Sequence, residues 1–276
     1  MQMKSRAYYI VIVFLWCFIP SGSRGQTPIR QNKATVLVRF ETPEPYERTD
    51  APPHSFALFL RNLPLLPENT PIQNYANEPL KTDTQSPPAA ILDIETGTKN
   101  WQRTVQSLMR IWAEYLFEQQ RFSAIRFHIR NGKAIPYQQW TQGMNILVDN
   151  RAYWTKTPYN PHQYRTFRRY LDFIFQYSDF QTVLRDIESV AASDLAPGDL
   201  LLRDDRAMMV LDMAVNRESG ERMVLLACGG TPAQAIRVLQ NTAQKDVLGA
   251  WFKIGEQGAI NTGVVEFLPT DFYRFK

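Results

Sequence analysis

From Ala207 to Val215 the chain reads Ala-Met-Met-Val-Leu-Asp-Met-Ala-Val, an apolar run broken only by Asp212. A run this short and this apolar suits a strand buried on both faces at the centre of a sheet. Such a strand needs partners on both sides, and the neighbouring sequence offers them. Pro197-Gly198 turns into Asp199–Leu202, Asn216–Gly220 reads as a hairpin turn, and Met223–Ala227 returns antiparallel. Ala235–Leu239 adds a further strand, and Gly263–Leu268 and Phe272–Phe275 are candidates to close the sheet.

The earlier part of the chain is helical in pattern. Trp101, Val105, Leu108, Trp112, Tyr115 and Leu116 recur at helical spacing, which predicts a helix over Trp101–Gln119 with Asn100 as its cap. Trp101 and Trp112 then read as core rings. A second helix is expected over Pro161–Tyr177, capped by Asn160, and a third over Phe180–Ala191. Ser55 is placed to cap a short helix that presents Phe56, Phe59 and Leu60 on one face. Ala34–Phe40 is rich in β-branched residues and reads as a strand, as do Ala89–Ile94 and Ile125–Arg130, the last followed by an Asn131-Gly132 turn. Leu63–Pro67 is extended, and residues 68–88 read as a surface excursion. Helices first and antiparallel strands later predict an α+β fold.

Residues 1–25 have the order of an export signal. Lys4 and Arg6 precede an uncharged apolar run from Tyr8 to Ile19, Pro20 to Gly22 break it, and Ser23 and Gly25 are small residues before a cut at Gln26. The run is shorter than the roughly 20 residues of a membrane span. The expectation is a cleaved signal peptide at 1–25 and one domain over 26–276, released into the periplasm or outside the cell without a stable membrane span.

Charge argues against nucleic acid. The formal +4 of the whole chain includes Lys4, Arg6 and Arg24, and residues 26–276 carry 28 basic against 27 acidic residues. A near-neutral body lacks the concentrated basic stripe that phosphate backbones require. No metal or cofactor is expected either. There is no glycine-rich phosphate loop, no paired-cysteine or His-Glu-x-x-His zinc motif, and His54, His128 and His162 stand far apart.

Two residue types invite chemistry. Signal cleavage would remove Cys17 and leave Cys228 as the lone thiol, before Gly229-Gly230 at the end of an apolar strand. It would serve as a nucleophile only with a base in reach, and otherwise as a small buried side chain. Asp199 and Asp212 are carboxylates in apolar surroundings, and a buried carboxylate must be paired or hydrogen-bonded. Their reading as partners of arginine or backbone stands beside a reading of Asp212 as a site-supporting group.

Several stretches also resemble one family. Phe56-Ala57-Leu58-Phe59-Leu60-Arg61-Asn62-Leu63-Pro64-Leu65, Ala113-Glu114-Tyr115-Leu116, Gly198-Asp199, Val210-Leu211-Asp212-Met213-Ala214, Leu225-Leu226-Ala227 and Pro232-Ala233-Gln234 follow in its order and spacing. The family is the exported bacterial one catalogued as domain of unknown function 4846, and the resemblance spans roughly residues 40–255. It implies a papain-like (NlpC-type) domain with helices packed on a C-terminal antiparallel sheet. It also implies a Cys in the first turn of the helix ending Ala113–Leu116, a Gly-His pair opening a later strand, and a Gln after the next strand. A helix start lowers a thiol's pKa and the His takes its proton. Here those positions fall on Thr104, on Asp205-Arg206 and on Cys228. Threonine is a far weaker nucleophile than a thiolate, and arginine is no base near neutral pH.

The resemblance thus implies a catalytically inactive relative that binds an envelope peptide or protein in the former active-site groove. Thr104, Arg206, Cys228 and Asp212 are its candidate lining, with Arg206 suited to pair a ligand carboxylate. The alternative is an active amide hydrolase, a cell-wall peptidase or amidase, that uses Cys228 with one of the three histidines. A third reading is a surface protein whose strands serve assembly.

Overall fold

The computed structural model describes residues 34–81, 87–148, 151–154 and 159–276. The expected signal peptide over 1–25 lies outside them. Nine strands form one antiparallel sheet. Its order runs Pro88–Ile91, Arg237–Leu239, Arg222–Cys228, Arg206–Val215, Leu200–Arg203, Phe272–Phe275 and Ile187–Ser189. Two short strands join from the side, Glu47–Arg48 against Ala214 and Val215, and Phe252–Lys253 against Met223 and Val224. Several helices pack on this sheet, so the fold is α+β, and no helix of the described residues is long and apolar enough to cross a membrane.

The apolar run forms the middle of the sheet, as Arg206–Val215. Side chains alternate between two buried layers. Met209, Leu211 and Ala214 enter the larger core under the helices, while Met208, Val210 and Met213 enter a second core with Leu226, Phe252 and Phe272. The alternation slips once. Leu225 pairs with Asp212 but Leu226 pairs with Val210, so Leu211 is the surplus residue of a β-bulge. The bulge turns Leu211 and Asp212 to the same face, toward the helices.

The expected helix over Trp101–Gln119 forms as Thr104–Glu118, three residues shorter at its start. Asn100 is not its cap, because its Oδ1 accepts the Ala233 N–H at 2.8 Å and its carbonyl accepts Arg103 Nε at 2.9 Å. Arg103 takes the cap position, and its side chain makes no capping bond. The helix is buried along most of its length and carries an ion pair into the core, Arg110 with Glu114. The pair has further partners: Tyr164 Oη donates to Glu114 Oε1 at 2.8 Å, and Arg110 donates to Gln102 Oε1 and to the Glu95 carbonyl, each at 3.0 Å, while Glu114 Oε2 is buried without a hydrogen bond.

Other expectations shift for similar reasons. The second helix begins at Tyr164, since Asn160 spends its side chain on the His162 N–H. The third ends at Val183, and Ile187–Ser189 becomes an edge strand instead. The Asp186 carboxylate turns aside there to the His128 N–H at 2.9 Å and to its Nδ1 at 2.6 Å. Ala34–Phe40 is not a strand. Thr35 caps a single helical turn, Val36–Arg39, which Val36 N–H to the Leu63 carbonyl and Leu65 N–H to the Ala34 carbonyl hold in place. Strand propensity yields to such context. Of Gly263–Leu268 only Glu266–Phe267 is a strand, in a separate ribbon with Ile260–Asn261, whereas Phe272–Phe275 does join the sheet. The Ser55 cap forms as expected, accepting the Leu58 N–H at 3.1 Å over the helix Phe56–Arg61.

Candidate functional site

A groove of about 930 Å³ opens where the long helix begins and the sheet ends. Arg103 and Thr104 flank it at the helix start. Asp205 and Arg206 line it at the tight turn into the central strand, and Cys228 to Pro232 line it where the next strand runs out. The helix and the strand end meet closely at Gly229. A methyl group there would lie 2.0 Å from Ser107 Oγ and 3.1 Å from the Arg103 carbonyl oxygen, so only glycine lets the two pack. Thr104 Oγ1 lies 3.3 Å from Thr231 Oγ1 and ties the helix start to the same loop.

Residues 72–81 fold back over the rim. Asn74 bridges to Gln234, Tyr75 N–H donates to the Ala233 carbonyl at 2.9 Å, and Ile72 is buried. The described part of the expected surface excursion is therefore partly a wall, with Ile72, Leu80 and Lys81 facing the groove.

Thr104, Arg206 and Cys228 all line this groove. They do so from two sides of the sheet. Ala207 and Ala227 belong to the core under the helices, while Cys228 belongs with Met208 and Leu226 to the core on the far face. Arg206 shares the parity of Met208 and so leaves the sheet on that far face. The thiol of Cys228 is buried, and burial pushes its pKa up against the opposing pull of Arg237 and Arg206.

Asp212 is not at the groove. Its side chain has no exposed surface and is held by Arg48 Nε at 2.7 Å and Arg61 Nε at 2.8 Å. The bulge aims it at these two arginines, far along the strand from the groove end. Asp199 is likewise a structural partner, gripped by both ends of the Arg274 fork at 2.6 and 2.8 Å and by the Ala196 N–H at 2.8 Å.

None of the three histidines lines the groove. His128 is bound to Asp186, His162 sets its ring edge-on to Phe122, and the His54 carbonyl accepts the Tyr115 hydroxyl. Trp112 is a core ring, stacked on Phe275 at 5.7 Å, while Trp101 packs partly on the core and partly lines the groove.

The sequence reading missed the charge of the lining. Lys81, Arg103, Arg130, Arg206 and Arg237 contribute five cations, against Asp179 and Asp205. Asp179 is occupied as a helix cap, with its side chain accepting the Thr182 N–H. Arg237 stands directly across the ladder from Cys228. Only the register between Arg222–Cys228 and Arg237–Leu239 could have revealed that, and the intervening loop hides it. Among the described residues no group of three or more potential ligands is arranged to hold a metal ion.

A family model described as Domain of unknown function (4846) matches residues 36–274. Comparison with curated proteins and with solved structures gave no match.

Proposed function

The chain belongs to the family described as Domain of unknown function (4846), and from that premise we propose that it is an exported binding module of papain-like (NlpC-type) layout without cysteine-hydrolase activity. Its ligand is an envelope peptide or protein segment held in the groove at the start of the long helix. Export rests on the charge, apolar run and small residues of the leader over 1–25.

One observation carries the reading. A hydrolase of this layout needs a thiol, a base and an orienting group on the side of the sheet that faces the helix. On that side Thr104 and Ala207 line the groove end, and Ala227 lies in the core just before it. They present a hydroxyl and two methyl groups, and none accepts a proton near neutral pH. What remains is a large open groove with an apolar wall from Trp101, Phe175 and Phe180 and an excess of cationic side chains. Such a surface suits retention of a ligand.

The test incubates the protein with soluble peptidoglycan stem peptides and follows both binding and peptide mass. Binding without cleavage is the expected result. Cleavage that disappears in Cys228→Ala would replace this reading with that of an active amide hydrolase.

A further inference from the structure

We propose that Arg206 and Arg237 form a two-armed clamp for the free carboxylate of a peptide ligand, at the end of the groove where Cys228 lies. The inference rests on the groove being a ligand site and names the group it recognises.

The placement follows from the ladder. Arg206 opens the strand on one side of Arg222–Cys228, and Arg237 opens the strand on the other. Arg237 pairs across with Cys228, and Arg206 has the parity of Met208, so both side chains leave the sheet on the face that carries the thiol. Their strands lie two ladder spacings apart and Arg206 stands two residues beyond Met208, the residue level with Cys228, so the two backbones are about 12 Å apart, a gap that two arginine side chains span to meet on one small anion. Both pull the Cys228 thiol pKa down against its burial.

Neither guanidinium is neutralised. No ion pair reaches Arg206 or Arg237 among the described residues. Arg237 Nε is buried with no hydrogen-bond partner, and its Nη1 has only a 3.4 Å contact with Gln234 Oε1. Other buried arginines of this protein have carboxylate partners, as Arg61 has Asp212 and Arg110 has Glu114. A buried donor left open beside a second free fork is a site prepared for an oxyanion, and planar forks match a carboxylate in two-point contact. Trp101 and Phe175 line the same groove from the helix side of the sheet and offer apolar surface to the body of a peptide.

The test titrates the full chain with an N-acetylated oligoalanine bearing a free C-terminal carboxylate and, separately, with its C-terminal amide. Arginine Nε–H signals are followed by NMR and affinity by calorimetry. The acid should bind roughly tenfold or more tightly than the amide, the ratio that one charge-assisted pair supplies. Arg206→Gln and Arg237→Gln should each abolish that preference. Arg217→Gln, which breaks only an exposed pair with Glu47, should leave the preference intact. Arg206 is exposed, so its variant reports on the clamp even if Arg237→Gln fails to fold. Equal binding of acid and amide within the groove overturns the clamp and leaves the groove reading standing. Inorganic phosphate competing at lower concentration than acetate overturns the choice of carboxylate. Absence of groove signals with either peptide at millimolar concentration overturns both.

Discussion

Arg61 reaches Asp212 across 151 residues of chain and donates its Nε–H to the carboxylate at 2.8 Å. The second carboxylate oxygen is taken by Arg48, whose Nη2 also bonds the Leu37 and Phe40 carbonyls. Arg61 in turn holds the Thr49 carbonyl at 2.7 Å. One buried carboxylate thus pins the lead-in segment, the helix Phe56–Arg61 and the central strand to each other.

Removing that carboxylate strands two cations inside the protein. Asp212→Ala should cost about 3–5 kcal/mol, the range for a broken buried pair. Urea denaturation of the variant beside the parent checks it. A loss below about 1 kcal/mol, the scale of a surface pair, would show that the arginines find water instead.

Cys228 should alkylate slowly. Burial raises its pKa, so at any pH its thiolate fraction is below that of a free cysteine, which is half ionised near pH 8.5. Mass spectrometry after mild alkylation should give a rate at least about tenfold below that of the urea-unfolded chain, consistent with a structural thiol. Rapid labelling of the folded protein below about pH 7 would mark an activated thiolate and refute the binding-module reading.

Gly229→Ala should lower the melting temperature through overpacking worth about 1–3 kcal/mol. The added methyl meets Ser107 Oγ at 2.0 Å and Ser107 Cβ at 2.6 Å. Ser107→Gly in the same chain should recover part of the loss, because only the Arg103 carbonyl at 3.1 Å then remains close. Equal melting temperatures for all the chains would show that the helix start moves freely.

Alkaline pH should unfold the protein through its tyrosines. Burial pushes Tyr164 to about 12, and pushes Tyr137 and Tyr170 up as well. The unfolded chain therefore releases these protons first. Their contribution to folding is complete below about pH 10, the ordinary tyrosine value, and is lost as pH rises through the folded values. Tyrosinate absorbance and circular dichroism should change together in that window. Ionisation of all tyrosines with the circular dichroism unchanged would contradict the burial.

Much of the sheet was legible in the sequence because its central strand is apolar on both faces and its turns carry Gly and Asn. Ser55 was legible as a cap since its helix follows at once. Asn100 and Asn160 were not, because a capping side chain in sequence is free to serve a distant or neighbouring backbone N–H, and here Ala233 and His162 claim them. Thr104, Arg206 and Cys228 were placed at one groove by resemblance, but the face each side chain takes depends on strand parity at the groove end. Arg237 was out of reach for the same reason, since a ladder partner is set by a loop whose path no local pattern fixes.

The surplus residue in the central strand has a further meaning for chain length. In an ordinary strand, losing one residue inverts every side chain beyond it between the two cores. Leu211 is outside the pairing count, with Val210 and Asp212 already opposite successive partners. A chain lacking Leu211 would keep Met208 to Val210 and Asp212 to Val215 turned as they are now. The middle of this sheet is thus the one point along the strand where a single-residue deletion would shorten the backbone without turning the interior inside out.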